Sequence, residues 1–298
     1  MPTRYSTPRA LEQAVREAAR KSPRNTNKAI ESFYLDRFLC RIFSEQQPAF
    51  VLKGGQSQLA RRVDARESRD IDLVGTTASI EEALNRLKKL ASIDLDDYLE
   101  FTFFDAQPIP VSQEYRTGYQ VEFIPILGRT KRLNPIHIDL VVDQTPPEDW
   151  TITTPVSRLT VPGLPTSNYA IQTIEERIAD KACAIMQRYN GRPSSRVKDL
   201  VDLAVVMCTC AVDADILARK LRRESALRGM EPIEHFEVPN SWFGPYEKAY
   251  TKEARTCSDH RMPLSIEQAS QKVDEWLAPA LSGEARGKTW DPEEQEWL

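Results

Sequence analysis

The hydrophobic period of this chain changes across one proline-rich stretch. Before it, apolar residues come in short alternating or continuous runs at 49–53, 70–74, 99–104, 119–127 and 136–142, which are strand signals. After it, they recur at three- and four-residue steps, at about 173–189, 195–209, 212–228, 245–257 and 265–278, which are helix signals. The stretch itself opens at Thr145-Pro146-Pro147 and continues through Pro155, Pro162 and Pro165. Proline fixes φ and has no N–H to donate, so this segment reads as the boundary between a sheet and a set of helices. Residues 8–44 read as two helices, the second placing Ile30, Phe33, Tyr34, Phe38 and Ile42 on a face that packs on the sheet. Another helix, IEEALNRLKKLASI near 80–93, interrupts the strands. The expected class is α+β: N-terminal helices and a mixed-sheet domain over 1–150, then the proline-rich connection and an α-helical domain over 151–298. The acidic tail with Trp290 and Trp297 is compatible with docking or with a loose end.

Bulk properties narrow the function classes. At 298 residues there is ample chain for a sizeable core, and 41% hydrophobic with 28% charged residues is an ordinary soluble balance. No uninterrupted apolar stretch approaches a bilayer's thickness, and the start, MPTRYSTPRALEQ, lacks the apolar core of a signal peptide. The five cysteines have no zinc-ligand spacing, so reduced thiols in a bacterial-type cytoplasm are expected. A net charge of −4 argues against a protein that simply coats nucleic acid. Positive charge is nevertheless clustered: Arg219, Arg222 and Arg223 fall at i, i+3 and i+4 on one helix face. A solvated face explains any single patch, but beside a phosphoryl-transfer site a groove for an RNA backbone becomes credible.

That site is read from Lys53 to Gly75, KGGQSQLARRVDARESRDIDLVG. Side chains alternate along a strand, so Ser68, Asp70 and Asp72 share one face, and Arg66 joins them if the strand extends back. Two adjacent carboxylates repel, and Asp is a poor strand residue. A divalent cation removes both objections, and Mg²⁺ favours carboxylates together with substrate phosphates. Gly54-Gly55 can form a tight turn whose backbone N–H groups approach a phosphate. Asp139 lies in a further strand, HIDLVV, sharing a face with His137. Taken singly, an Asp-x-Asp or a Gly pair is commonplace. In this order they point to metal-assisted chemistry on a nucleoside triphosphate.

Together these motifs resemble the nucleotidyltransferase fold related to DNA polymerase β, and more narrowly the AbiEii/MenT-type nucleotidyltransferase toxins. The narrower likeness rests on KGG with Leu59, on RESRDIDL, on Glu175 to Lys181 (an E-x-x-x-A-x-K motif read from the first of two glutamates), and on Arg196-Val197-Lys198-Asp199-Leu200-Val201-Asp202-Leu203. It spans about Lys53 to Leu203, with Gln56 standing where the family commonly has Thr or a small residue. The resemblance implies Mg²⁺ (or Mn²⁺) at Asp70, Asp72 and Asp139, and an NTP as co-substrate. Lys53, Gly54, Gly55, Ser68, Arg66 and Lys181 would hold phosphates, and Asp199 would orient Lys181 or the nucleotide. It further implies NMP transfer to the 3′ end of tRNA and a cognate antitoxin.

Lys181 also stands out without the resemblance. On a helix from Ile174 it falls in the middle of an apolar face with Ile178 and Ile185, so its ammonium must snorkel or meet an anion. For Asp199, pairing with Arg196, Arg188 or Lys181 would be structural, and orienting the nucleotide functional. The rival functions are transfer to a protein hydroxyl or a small-molecule antibiotic, and a degenerate module that binds nucleotide or partner without turnover.

Overall fold

The computed structural model describes residues 5–62, 70–77, 79–109 and 116–298. The chain forms two compact units, Met1–Gln172 and Thr173–Leu298.

In the first unit, α1 (Pro8–Lys21) starts at Thr7, whose hydroxyl accepts from the Ala10 N–H, with proline in the first turn. Its buried residues Leu11, Val15 and Ala19 recur every fourth position. Asn25 caps α2 (Thr26–Ile42) by accepting from the Asn27 and Lys28 N–H groups. Phe33, Phe38 and Ile42 of α2 are buried in the core, with Ile30 and Tyr34 packed against it.

The strands are β1 (Phe50–Lys53), β2 (Ile71–Gly75), β3 (Leu99–Pro108), β4 (Arg116–Leu127), β5 (Lys131–Arg132), β6 (Ile136–Asp143), β7 (Thr151–Thr153) and β8 (Tyr169–Ile171). They form one sheet in the order β3-β4-β6-β2-β1-β8-β7, with β5 on β4. It is mixed: β2–β6 and β1–β8 are parallel, the remaining pairs antiparallel. Two short helices interrupt it, α3 (Gly54–Arg61) and α4 (Ile80–Ala91). One face carries the core residues Leu52, Ile71, Leu73, Val121, Ile138 and Leu140. The alternate residues of the same strands make the other face.

The second unit is built on α5 (Ile174–Met186), α6 (Val197–Thr209), α7 (Ala214–Leu227), α8 (Glu247–Ala254) and α9 (Ile266–Ser282). The tail docks. Its strands β10 (Thr289–Asp291) and β11 (Glu296–Trp297) pair with each other and, through β10, with β9 (Val212–Asp213). Trp290 Nε1 donates to the Met207 carbonyl at 2.8 Å and Trp297 Nε1 to the Trp276 carbonyl at 3.0 Å. Each indole thus buries its apolar body while its N–H is satisfied. The α+β expectation holds: a mixed sheet with its helices, then an α-helical region, as in the nucleotidyltransferase fold. No helix among the described residues is long and apolar enough to cross a membrane.

Candidate active site

Strand register draws one polar line across the sheet. Lys53 of β1 is the partner of Asp72 on β2, and Asp72 is the partner of Asp139 on β6. Asp139 in turn pairs with Gln120 on β4, and Gln120 with Gln107 on β3. Facing partners project to the same side of a sheet with Cβ atoms about 5 Å apart, so these five side chains form a continuous row. A second row runs beside it, from His137 through Glu122 to Asp105. Asp70 stands immediately ahead of β2 and is exposed. Gln107, Gln120, Glu122 and Asp105 were not among the residues expected at the site. Their only sequence signal is alternation, Gln120 and Glu122 against buried Val121 and Phe123.

The Asp72 carboxylate packs against the start of α3. Gly54 has φ +61°, and a Cβ built on it would lie 1.8 Å from Asp72 Oδ2 and 2.6 Å from Asp72 Cγ. Only glycine permits that approach. Gly55 lies within α3, and the Ser57 hydroxyl donates to the Gly54 carbonyl at 2.8 Å, tightening the first turn. Ser68 and Arg66 lie outside the described residues.

Asp139 is the perturbed carboxyl of the row. Its pKa is raised, first by burial and then by the negative charge of Asp70, against the lowering effects of a Gln120 hydrogen bond and of His137. The folded protein therefore binds this proton more tightly than the unfolded chain does. Ionising Asp139 costs stability as pH rises from the ordinary Asp range, near 3.9, through the folded pKa, and the cost persists at neutral pH. Without divalent cation, Asp139→Asn is expected to unfold at a higher temperature than the unaltered protein at pH 7. The gain should shrink towards pH 4. Thermal denaturation at the two pH values checks this, and a lower midpoint at pH 7 would contradict it.

Among the described residues, no three His, Cys, Asp or Glu side chains are gathered closely enough to hold a metal ion by themselves. The donor set still suits Mg²⁺, which is typically bound through one or two carboxylates with phosphate and water completing its shell. Asp72 and Asp139, adjacent and in register, supply two such carboxylates.

In the second unit, Lys181 meets an anion of its own chain. Its Nζ is 2.5 Å from Asp199 Oδ1 and 2.7 Å from Asp202 Oδ2. Arg177 lies 3.3 Å from Asp202, and Arg196 3.6 Å from Asp199. Burial opposes the ammonium, but Asp202 and Asp199 outweigh it and raise the pKa, so Lys181 stays charged. Asp202 belongs to the same sequence motif as Asp199 and was the weaker candidate of the two. Its signal was the i, i+3 spacing that puts it on the Asp199 face of α6. Of the basic cluster on α7, Arg219 and Arg222 are exposed and Arg223 is half-buried. Lys220 instead turns inward to Glu176, 3.4 Å away.

Comparison with known proteins adds a family. The model of the nucleotidyl transferase AbiEii toxin, of a type IV toxin–antitoxin system, matches residues 37–284. No curated protein matches the chain. Among solved structures, a candidate nucleotidyltransferase from H. pylori is similar at 15% identity with a TM-score of 0.42, over 88% of this chain and 98% of its own. JHP933 from Helicobacter pylori is similar at 16% identity with a TM-score of 0.41, over 85% and 92%.

Proposed function

The chain belongs to the AbiEii nucleotidyl transferase toxin family, and we propose that it is a metal-dependent enzyme of the AbiEii/MenT kind that transfers an NMP from an NTP to the 3′ end of tRNA. The observation that carries this reading is the register of Lys53, Asp72 and Asp139, with the Asp72 carboxylate against the Gly54 turn. It sets a cation, two carboxylates and a helix start side by side, the components needed to seat a metal-bound triphosphate.

Asp70, Asp72 and Asp139 would hold Mg²⁺ or Mn²⁺, which when bound neutralises charge on the triphosphate. Lys53 and the Gly54-Gly55 turn hold phosphate oxygens, joined by Ser68 and Arg66. The attacking 3′ oxygen bonds to the α-phosphorus as the bond from that phosphorus to the α–β bridging oxygen breaks. Pyrophosphate leaves, and the hydroxyl proton passes to Asp139, the carboxylate in register beside Asp72. For Lys181 the family motif is the support: Asp199 and Asp202 keep it an ammonium, the form a phosphate requires. Arg219, Arg222 and Arg223 are assigned to the RNA backbone. Blocking tRNA in this way would stop translation, and family membership implies a cognate antitoxin as the partner protein.

The test is label transfer from each α-³²P NTP to total tRNA in Mg²⁺, beside Asp70→Ala. Label on tRNA that falls about 100-fold or more in the variant is the expected result, the scale on which displaced catalytic groups cost rate. Label on protein instead would replace this reading with AMPylation or its analogues, and a folded Asp70→Ala protein with full activity would remove Asp70 from the mechanism.

A further inference from the structure

We propose that the cavity bordering Asp70 receives the unpaired terminal nucleotide of an RNA 3′ end, the acceptor of the transfer; this rests on the tRNA-directed function proposed for the same site. The cavity, about 660 Å³, is walled by α1, α2 and the segment joining β5 to β6. That is within the size of small-molecule pockets, about 300–1,000 Å³. It opens at the end of the sheet beside the catalytic row, because Asp70 and His137, two residues ahead of Asp72 and Asp139 respectively, are both part of its wall.

The lining chemistry is that of a nucleotide pocket. Val15, Ile30, Leu133 and the Tyr34 ring give an apolar wall. Phe33 braces Tyr34 edge-on at 5.4 Å, fixing the plane on which a base can stack. Burial, and then the charge of Glu12, push the Tyr34 phenol up to about 12, so it stays a neutral O–H donor. Asn27 and Asn134 add amides that can both donate to and accept from a base edge.

Three cations stand around it, Arg16, Lys131 and Arg132. Glu12 accepts from Arg16 at 2.9 Å and from Lys131 at 2.7 Å, which holds those two in place. Arg132 is exposed, suited to a phosphate of the incoming strand. Single-stranded ends are recognised by this combination: stacking on aromatic rings, hydrogen bonds to base edges and cations for the backbone. A paired end could not enter, since its terminal base edges are already engaged. A protein hydroxyl on an extended loop would use neither the ring nor the cations.

The experiment uses the full chain and a short single-stranded RNA ending in 3′ 4-thiouridine. On irradiation it is expected to cross-link within residues 27–35 or 131–137. Tyr34→Leu should raise the KM for RNA about tenfold or more, the loss of one base–aromatic stack, with the KM for NTP unmoved. Arg132→Glu, on the exposed segment, should raise it in the same direction, which covers the case that Tyr34→Leu perturbs α2. Labelled RNA whose cross-links fall elsewhere, with the RNA KM unchanged in both variants, would overturn the pocket and leave the tRNA function standing. A rise in the NTP KM alone would overturn it in favour of the donor base. Label on protein and none on RNA would remove the function and the pocket together.

Discussion

Gly54→Ala is expected to lower nucleotidyl transfer about 100-fold or more while the protein still folds. The new methyl group would occupy the space of the Asp72 carboxylate, with 1.8 Å left to Oδ2. Either the carboxylate rotates away from its place beside Asp139 or the start of α3 moves. A shift of about 1 Å in a reacting group can cost a factor of about 100. The positive φ adds a backbone penalty of about 1–2 kcal/mol for any residue with a Cβ. That penalty is too small to unfold a domain of ordinary stability, about 5–15 kcal/mol. Transfer assays beside thermal denaturation separate the two effects. A variant that folds and transfers within a few-fold of the unaltered protein would mean that the Asp72 position is not set by this contact.

What the sequence could and could not disclose follows from the range of each signal. The side-chain period of a strand is local, so the placing of Asp72 on the face opposite buried Ile71 and Leu73 was legible from their spacing alone. The alignment of Asp72 with Asp139 was not, because register depends on pairing between segments 67 residues apart. Gln120 and Gln107 joined the row by the same long-range pairing and carried no chemistry that singled them out. Lys181 was legible because a charge on an apolar helix face breaks the pattern around it. The choice between Asp199 and Asp202 was not, since both lie on one face of α6 and both hold the ammonium.

Short elements were illegible for a different reason. β7 and β8, Thr151–Thr153 and Tyr169–Ile171, are three residues each, too brief to display an alternation. They lie in the proline-rich stretch that reads as a connection, and the structure pairs them with each other and, through Leu52 and Ile171, with β1. The proline signal gave the end of the regular strands but not these additions to the sheet edge, where prolines nearby are tolerated.

Asp97→Ala is expected to destabilise the first unit by about 3–5 kcal/mol, the cost of removing one member of a buried charge cluster. Asp97 is fully buried, and its carboxylate accepts from Arg37 Nε at 2.7 Å and from Arg41 Nη2 at 2.6 Å, two α2 side chains equally removed from solvent. Burial works against the Asp97 charge, but Arg41 and Arg37 outweigh it and hold its pKa below the usual range. A lowered folded pKa means that this stabilisation is present above the ordinary Asp range and lost as pH falls through the folded value. The local sequence, Asp94-Leu95-Asp96-Asp97-Tyr98, resembles a solvated acidic loop, and nothing in it singles out Asp97. The backbone does: Asp96 and Tyr98 on either side both have positive φ, 52° and 58°. Two residues in that sparsely used region are strained, and the ion cluster holds the segment there. Alanine leaves two buried guanidinium groups without their carboxylate. Replacing all three residues together by apolar side chains of similar size should cost far less than the single change, because no uncompensated charge remains. Urea denaturation of the single and triple variants measures the difference. A triple variant as unstable as Asp97→Ala would mean that hydrogen bonding to the surrounding backbone, such as Arg37 to the Pro165 carbonyl and Arg41 to that of Leu99, supplies the stability instead of charge pairing.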